Sequence, residues 1–195
     1  GRDEAGRCLQ QALARHAVQA ISSSKTATVL SLQTEHSREP PPLPLDLSTL
    51  QEVCSRKLGL GVQETLNIVQ ALYETHKATT YPRSDCRYLP ESMFDEVPAV
   101  FDALFKTDPA LLPPLGGLDR LLHSRAWNDA KVTAHHGIIP TIEPANLARM
   151  SKQERQVYEL IRSHYLAQFL PHHEFDRTQV ELKCGEERLT AVGKQ

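Results

Sequence analysis

The sequence predicts an α+β fold in which a mainly helical region lies between two shorter regions that contain strands. Three observations predict it. Apolar residues recur at helical spacing in several stretches between residues 46 and 170. Residue types that cap helices stand at the ends of some of these stretches. Alternating apolar and polar residues, typical of strands, occur before and after this region, at residues 26–34 and around Val180 and Leu182.

The first part of the chain predicts a helix, a strand and an extended linker. Helical spacing of apolar residues predicts a helix over residues 4–21. Mixed alternation with β-branched residues predicts a strand over residues 26–34. The proline-rich run at residues 40–44 predicts a stiff extended linker.

Two helices are predicted next. Ser48 followed by Gln51 has the form of a capping box at a helix start, and Gly59 is the residue type that most often ends a helix. A second helix follows, with one apolar face made of Val62, Leu66, Val69, Leu72 and Tyr73.

The remaining elements complete the predicted fold. A third helix, interrupted or bent near Pro98, is predicted from Met93, Phe94, Val97, Phe101, Leu104 and Phe105. Residues 108–117 form a proline- and glycine-rich loop, and Ser151 with Glu154 opens another capped helix. After Pro171 the pattern returns to strand, and residues 191–195 end without a terminating turn.

Composition narrows the function classes. The chain has 195 residues and a formal net charge of -2, so it lacks the strongly basic balance of a typical nucleic-acid-binding domain. A nucleic-acid site would have to be a local basic patch, with candidates Lys77, Arg83, Arg87, Arg125 and Lys131. The four cysteines form no Cys-x-x-Cys pair, which argues against a zinc ribbon or a disulfide framework and fits a reducing cytosol. No apolar run reaches membrane-spanning length, and no signal peptide opens the sequence.

The segment Thr79-Thr80-Tyr81-Pro82-Arg83-Ser84-Asp85 carries the most specific chemical signal. Proline favours extended backbone at the residue before it, which places Arg83 near the Tyr81 side chain. A phenol is a poor nucleophile at neutral pH unless its anion is stabilised or its proton removed, and an arginine can stabilise that anion or hold a phosphate. The pair therefore suits attack on a phosphodiester. The simpler interpretation is a packed tyrosine beside a surface arginine in a turn.

Three separated motifs favour the first interpretation. They are Gln70-Ala71-Leu72-Tyr73-Glu74, then Tyr81-Pro82-Arg83-Ser84-Asp85, then Ala134-His135-His136-Gly137-Ile138-Ile139-Pro140-Thr141. Together they resemble the central part of type IA DNA topoisomerases, most closely the bacterial topoisomerase III branch. Gly137 stands where that family usually has alanine. The resemblance extends from about Pro40 to Leu170.

The resemblance implies a finer architecture. In the family, a helical tyrosine-bearing domain is inserted in an arch of β-structure. The implied domains here are a partial arch segment with a preceding helix at residues 1–45, the helical domain at 46–170, and a returning, truncated arch segment at 171–195. The chain would then be a central fragment of a longer enzyme.

The resemblance also implies where the metal lies. The family binds Mg²⁺ in an N-terminal acidic domain through a glutamate and an Asp-x-Asp pattern, and no Asp-x-Asp occurs in this sequence. We therefore expect no metal site in this chain and Mg²⁺ bound elsewhere in the full-length parent. The pairs His135-His136 and His172-His173 lack partners at recurrent ligand spacing.

Matching the motifs residue by residue gives the expected site. The implied catalytic residues are Tyr81, Arg83 and His135. The expected DNA-binding residues are Thr79, Thr80, Ser84, Arg87, Lys131, Thr133 and His136. Asp85 is expected to orient Arg83 or cap a turn. Which of His135 and His136 faces the phosphate stays open, and without the resemblance His135 would be a loop histidine packed on Trp127.

The implied function is that of an ATP-independent isomerase. It cleaves one DNA strand through a 5′-phosphotyrosine, passes a strand and religates the break. The implied partners are single-stranded DNA and the remaining domains of the parent, with no membrane, in the bacterial cytoplasm. The isolated fragment is expected to be inactive because the acidic domain is missing. The alternative is a non-catalytic single-stranded DNA-binding module. Tyrosine recombinases and relaxases fit less well, since they place their arginines, histidines and tyrosine differently.

Overall fold

The computed structural model describes residue 4 and residues 8–24, 26–111 and 117–195. The described residues contain five α-helices and a three-stranded antiparallel sheet, which confirms the predicted α+β class. The chain divides into two compact units, one combining Gly1–Glu39 with His172–Gln195 and the other comprising Pro40–Pro171.

The first unit contains helix α1 (Gln11–Ser23) and strands β1 (Thr28–Glu39), β2 (His173–Cys184) and β3 (Glu187–Lys194). The strand order is β1-β2-β3, and both neighbouring pairs are antiparallel. β2 and β3 are joined by a tight turn in which Gly185 has a φ of 61°. A positive φ is easily adopted by glycine, which has no Cβ.

Three sequence predictions for this unit need correction. The first helix begins at Gln11 rather than residue 4, and residues 5–7 of the predicted helix lie outside the described part of the chain. β1 continues to Glu39, beyond residue 34, because its second half pairs with β2 as far as Glu39 opposite His173. The residues after the turn at Gly185 form a third strand, β3, which the sequence did not separate from β2.

The second unit begins with the proline-rich run, whose end is buried. Leu43, Pro44 and Leu45 are buried, so this run packs into the unit at its end instead of acting as a free linker. Side chains donate hydrogen bonds to its carbonyls: Arg125 to Pro41, Gln168 to Pro42, His164 and Arg87 to Leu43, and Arg87 to Pro44.

Helices α2 (Leu47–Leu58) and α3 (Val62–Glu74) follow. The predicted Ser48 cap is wrong, because Asp46 is the N-cap and its carboxylate accepts a hydrogen bond from the Thr49 N–H at 2.7 Å. A carboxylate satisfies a free N–H at a helix start and interacts favourably with the helix dipole. Gly59 ends α2 with a φ of 69°, as predicted for a left-handed C-cap.

The third helical region changes type just before Pro98. A 3₁₀ helix spans Glu91–Glu96, and α4 spans Val97–Thr107 with Pro98 in its first turn. A proline there removes no helical hydrogen bond, so it begins α4 rather than bending it. Of the predicted loop at residues 108–117, Pro109–Leu111 form a 3₁₀ turn, and residues 112–116 lie outside the described residues.

Helix α5 (Lys152–Leu166) crosses the core of the second unit. Its capping box is confirmed: the Ser151 hydroxyl accepts from the Glu154 N–H, and the Glu154 carboxylate accepts from the Ser151 N–H. The buried face of α5 packs against α3 and other core residues, including Val157, Tyr158, Ile161, Tyr165 and the following Phe169. Within the described ranges, no helix is both long and apolar enough to cross a membrane.

Candidate active site around Tyr81

The tyrosine segment follows directly from the end of α3. The His76 N–H donates to the Ala71 carbonyl at 3.0 Å and the Ala78 N–H to the Leu72 carbonyl at 2.9 Å, which closes the last turn of the helix. Between them Lys77 has a φ of 52°, a left-handed conformation that reverses the chain. The chain therefore leaves α3 in a defined direction toward Tyr81.

A second segment, residues 137–141, pairs with the tyrosine segment. The Thr80 N–H donates to the Ile139 carbonyl at 2.9 Å, and the Thr80 hydroxyl accepts from the Ile139 N–H at 3.0 Å. The same hydroxyl donates to the Gly137 carbonyl at 3.3 Å. A Cβ at Gly137 would lie 3.0 Å from the Cβ of Pro44, which gives a packing reason for glycine at this position. This pairing brings two motifs far apart in sequence into contact.

The Tyr81 side chain is exposed at the surface between two other rings. It is 37% exposed. The Tyr73 ring meets it nearly edge-on, with centroids 5.6 Å apart and planes at 85°, an arrangement that aromatic quadrupoles favour. On the other side the His135 ring lies 4.7 Å away at a tilt of 41°. The phenol ring is thus held by its neighbours and remains accessible to solvent.

Arg83 lies on the same surface and is held from α3. Its Nε donates to the Gln70 amide oxygen at 3.3 Å, and the Gln70 amide nitrogen donates to the Glu74 carboxylate. Arg83 is exposed, and within the described residues no protein group hydrogen-bonds to its two terminal nitrogens. These two nitrogens can therefore donate two parallel hydrogen bonds to one oxyanion.

The two adjacent histidines differ in their surroundings. His135 is exposed and lies against the Tyr81 ring. His136 is half-buried, and its Nδ1 lies 2.8 Å from the Gly137 carbonyl, to which it donates. The alternative that His135 packs on Trp127 is wrong, because Trp127 is surrounded by Phe94, His123 and Phe169.

Polar residues next to the rings connect the same segments. The Thr133 hydroxyl donates to the Asp85 carboxylate at 3.1 Å, so Asp85 contacts the His135 loop rather than Arg83. The Lys131 ammonium donates to the Tyr88 hydroxyl at 3.3 Å and lies 4.8 Å from the centre of its ring. Lys131 and Thr133 are both exposed.

Three of the expected DNA-binding residues lie deeper than the others. Thr79 and Ser84 are buried, and Arg87 is half-buried with its guanidinium bonded to the Pro44 and Leu43 carbonyls. The Ser84 hydroxyl accepts from the Cys86 N–H at 3.0 Å. The buried Thr79 hydroxyl oxygen has no hydrogen-bond partner among the described residues.

The turn before Tyr81 is also attached to helix α5. His76 Nε2 lies 3.3 Å from the Glu154 carboxylate, and both side chains are mostly buried. Hydrogen bonds from Ser151 and the contact with His76 hold the pKa of the Glu154 carboxyl below its usual range, although partial burial opposes them. Glu154 therefore links the start of α5 to the end of α3 while it is ionised.

No metal centre is evident in the described part of the chain. It contains no group of three or more histidine, cysteine, aspartate or glutamate side chains that could hold a metal ion. What the site presents is an exposed phenol with an imidazole against it and an exposed guanidinium nearby in the chain. Such groups can attack a phosphate ester and stabilise negative charge on its oxygens.

Sequence reasoning gave no role to two residues that contact the site. Tyr73 and Gln70 were recognised only as parts of the α3 motif, yet one packs on Tyr81 and the other bonds Arg83. Their spacing of three residues places them on the same side of a helix. That spacing is a signal that they act together.

Comparison with known proteins agrees with the motifs. The sequence pattern of the DNA topoisomerase family matches residues 1–195. The chain belongs to this family. It is 43% identical over 193 residues to DNA topoisomerase 3 of Salmonella typhimurium, covering 98% of this chain and 29% of that protein. It is also 43% identical over 184 residues to DNA topoisomerase 3 of Pasteurella multocida, covering 92% of this chain and 27% of the relative.

These matches confirm the sequence-based identification with the topoisomerase III branch. The chain spans less than a third of the length of these relatives. Full-length topoisomerase I from Thermotoga maritima has a similar fold, with a TM-score of 0.62 and 22% identity. That likeness covers 92% of this chain and 29% of the Thermotoga chain.

Proposed function

We propose that this chain supplies the nucleophilic tyrosine of a type IA DNA topoisomerase, an isomerase that changes DNA topology without ATP. The observation that carries the proposal is the Tyr81 ring, exposed between Tyr73 and His135 on a surface that also carries Arg83. A surface tyrosine that only packs against its neighbours would not require a second segment to be held against it. Here a distant segment is paired to the tyrosine segment through several hydrogen bonds, which supports a shared function.

The proposed reaction begins with in-line attack of the Tyr81 oxygen on a phosphodiester of one strand. A bond forms between that oxygen and phosphorus, and the bond to the 3′ oxygen breaks to release a 3′ hydroxyl. Arg83 and His135 stabilise the charge on the phosphoryl oxygens, which is the main requirement in phosphoryl transfer. After strand passage the 3′ hydroxyl attacks the phosphotyrosine and restores the strand.

The proposed DNA contacts fall into two groups. Thr80, Lys131, Thr133 and His136 are exposed or half-buried in the segments that carry Tyr81 and His135, and we assign them direct contacts with sugar or phosphate. Ser84 and Arg87 bond backbone groups of the Cys86 and Pro44 regions, and Thr79 is buried beside Tyr81 in sequence, so we assign all three a contribution to DNA binding through the shape of the loop.

The rest of the activity is assigned to a longer protein. We propose that residues 46–170 form a tyrosine-bearing domain inserted in a partial β-arch, to which residues 1–45 and 171–195 contribute. Mg²⁺ would be held by an acidic domain elsewhere in that protein, so this chain alone would be inactive. The partners would be single-stranded DNA and the other domains, in the cytoplasm. The coverage of less than a third of the relatives supports this division.

The test is covalent capture of single-stranded DNA by the longer protein. A strand labelled at its 3′ end keeps its label on the piece that becomes joined to tyrosine. Tyr81→Phe removes only the hydroxyl and is expected to abolish capture while leaving non-covalent binding intact. Tyr73→Phe is the matched control, because it removes a hydroxyl from the neighbouring ring, and it should still be captured. Capture by the Tyr81→Phe protein at the level of the unchanged protein would refute the assignment.

A further inference from the structure

A partly enclosed cavity of about 210 Å³ lies within the second unit, beside the tyrosine segment. Its inner wall is apolar and buried, with Leu89, Val100, Trp127 and Ile139. Glu96 and Ile142 also line it and are exposed, so they mark its mouth. The proposed reaction uses none of these side chains.

Two polar groups of the cavity are available to a ligand. The ion pairs of the described residues do not include Glu96, which is exposed and lines the cavity. Tyr165 is 2% exposed and lines the cavity, and its hydroxyl is near enough to feel the Glu96 charge. Burial and that charge both raise the pKa of Tyr165, so the hydroxyl stays protonated and can donate.

The size and chemistry of the cavity limit its occupant. Pockets for drug-sized ligands measure about 300–1,000 Å³, so this one admits a single ring with a short substituent. An aromatic wall provided by Trp127 favours a flat apolar ring. The Glu96 carboxylate favours a ligand that carries a positive charge. A hydrogen bond from a charged donor to this carboxylate is stronger than one from a neutral donor.

We propose that this cavity binds an aryl-alkyl amine, with the ring against Trp127 and the ammonium group on the Glu96 carboxylate. Neither Arg83 nor His135 lines this cavity. Thr80 nevertheless lines it, and the Thr80 hydroxyl bonds residues 137 and 139. A bound amine would therefore touch the residue that joins the two segments of the Tyr81 site.

The test uses the single tryptophan of the chain as reporter. Phenethylamine absorbs little where tryptophan is excited, so the fluorescence of Trp127 can be followed during a titration of the 195-residue chain. We expect a saturable change. The uncharged analogue 2-phenylethanol has the same ring, and we expect it to bind about tenfold more weakly because it lacks the charged partner.

Two carboxylate variants separate a specific site from general attraction. Glu96→Gln is expected to lower the affinity for phenethylamine about tenfold and to leave the affinity for 2-phenylethanol unchanged. Asp95→Asn is the control, because Asp95 is exposed next to Glu96 but does not line the cavity. The affinity of the Asp95→Asn chain for phenethylamine should equal that of the unchanged chain.

A cavity-filling variant tests where the ring binds. Val100→Phe should abolish the fluorescence change for both compounds, provided that circular dichroism shows an unchanged fold. The proposal is overturned by any of three results: no saturable change with phenethylamine, equal affinity for the amine and the alcohol, or equal losses in Glu96→Gln and Asp95→Asn. Undiminished binding to a folded Val100→Phe chain would likewise place the amine elsewhere.

Discussion

Thr80→Val tests how the two segments of the Tyr81 site are joined. The Thr80 hydroxyl accepts from the Ile139 N–H at 3.0 Å and donates to the Gly137 carbonyl at 3.3 Å. Valine has nearly the same shape and is also β-branched, so the bond from the Thr80 N–H to the Ile139 carbonyl at 2.9 Å can remain. The substitution therefore removes the two hydroxyl bonds and little else.

The expected cost follows from the burial of Ile139. Ile139 is 2% exposed, so its N–H would be left inside the protein without an acceptor. An unsatisfied buried donor costs about 1–3 kcal/mol, and the longer bond to Gly137 adds about 0.5 kcal/mol. We expect the free energy of unfolding to fall by about 2 kcal/mol, which for a unit of this size lowers Tm by about 8 °C.

Urea and thermal denaturation of the chain measure this cost, and hydrogen exchange at the Ile139 amide locates it. Thr75→Val is the control, because Thr75 is an exposed threonine at the end of α3 whose side chain makes no hydrogen bond within the described residues. It should change stability by less than about 0.5 kcal/mol. If Thr80→Val is as stable as Thr75→Val and the Ile139 amide stays protected, the hydroxyl does not join the segments.

Four further predictions follow from the site and its supports. In the longer protein, Arg83→Ala should slow single-turnover strand cleavage about a hundredfold, equivalent to about 3 kcal/mol. Arg83→Lys should also cleave slowly, because an ammonium cannot reproduce the two-pronged contact of a guanidinium. Normal cleavage by either variant would refute the phosphate role of Arg83. His135→Ala should lose more cleavage rate than His136→Ala, and the reverse order would assign the role to His136. The isolated chain should unfold cooperatively yet relax no supercoiled DNA at any Mg²⁺ concentration, whereas relaxation would show that no other domain is needed. The Glu154 carboxyl has a lowered pKa in the folded state, so its stabilising contribution is present above the usual value of 4.5 and is lost as pH falls below it. Urea denaturation should show a weaker loss at low pH in Glu154→Gln, and an unchanged pH dependence would contradict this.

Local signals in the sequence predicted most of the helices correctly. The Ser151–Glu154 capping box and the Gly59 C-cap act within a few residues of the chain, so their effect is visible in the order of residues alone. The same kind of signal predicted Ser48 as the cap of α2, whereas Asp46 is the cap; both residue types cap helices. The residue type therefore does not say which of the two residues stands at the start of the helix.

Contacts between distant residues were not predictable in the same way. The proline-rich run was predicted as a linker because its composition indicates an extended conformation. Its last residues, Leu43 and Pro44, are buried, and its carbonyls find donors such as Arg87 and Gln168, which are far away in sequence. The third strand was missed for a similar reason, as it depends on pairing between Thr178 and Gly193 and their neighbours.

The sequence by itself determined the family and the α+β class, and it is the source of the prediction that Tyr81 is the nucleophile. These follow from motifs whose residues are close together and whose chemistry is specific. Only the tertiary structure decided that His135, and not His136, lies against Tyr81, and that Tyr73 and Gln70 contact the site. The physical reason is that these contacts depend on how separate segments pack, for example on the pairing of residues 137–141 with Thr80, and a backbone hydrogen bond between distant segments leaves no mark in residue type.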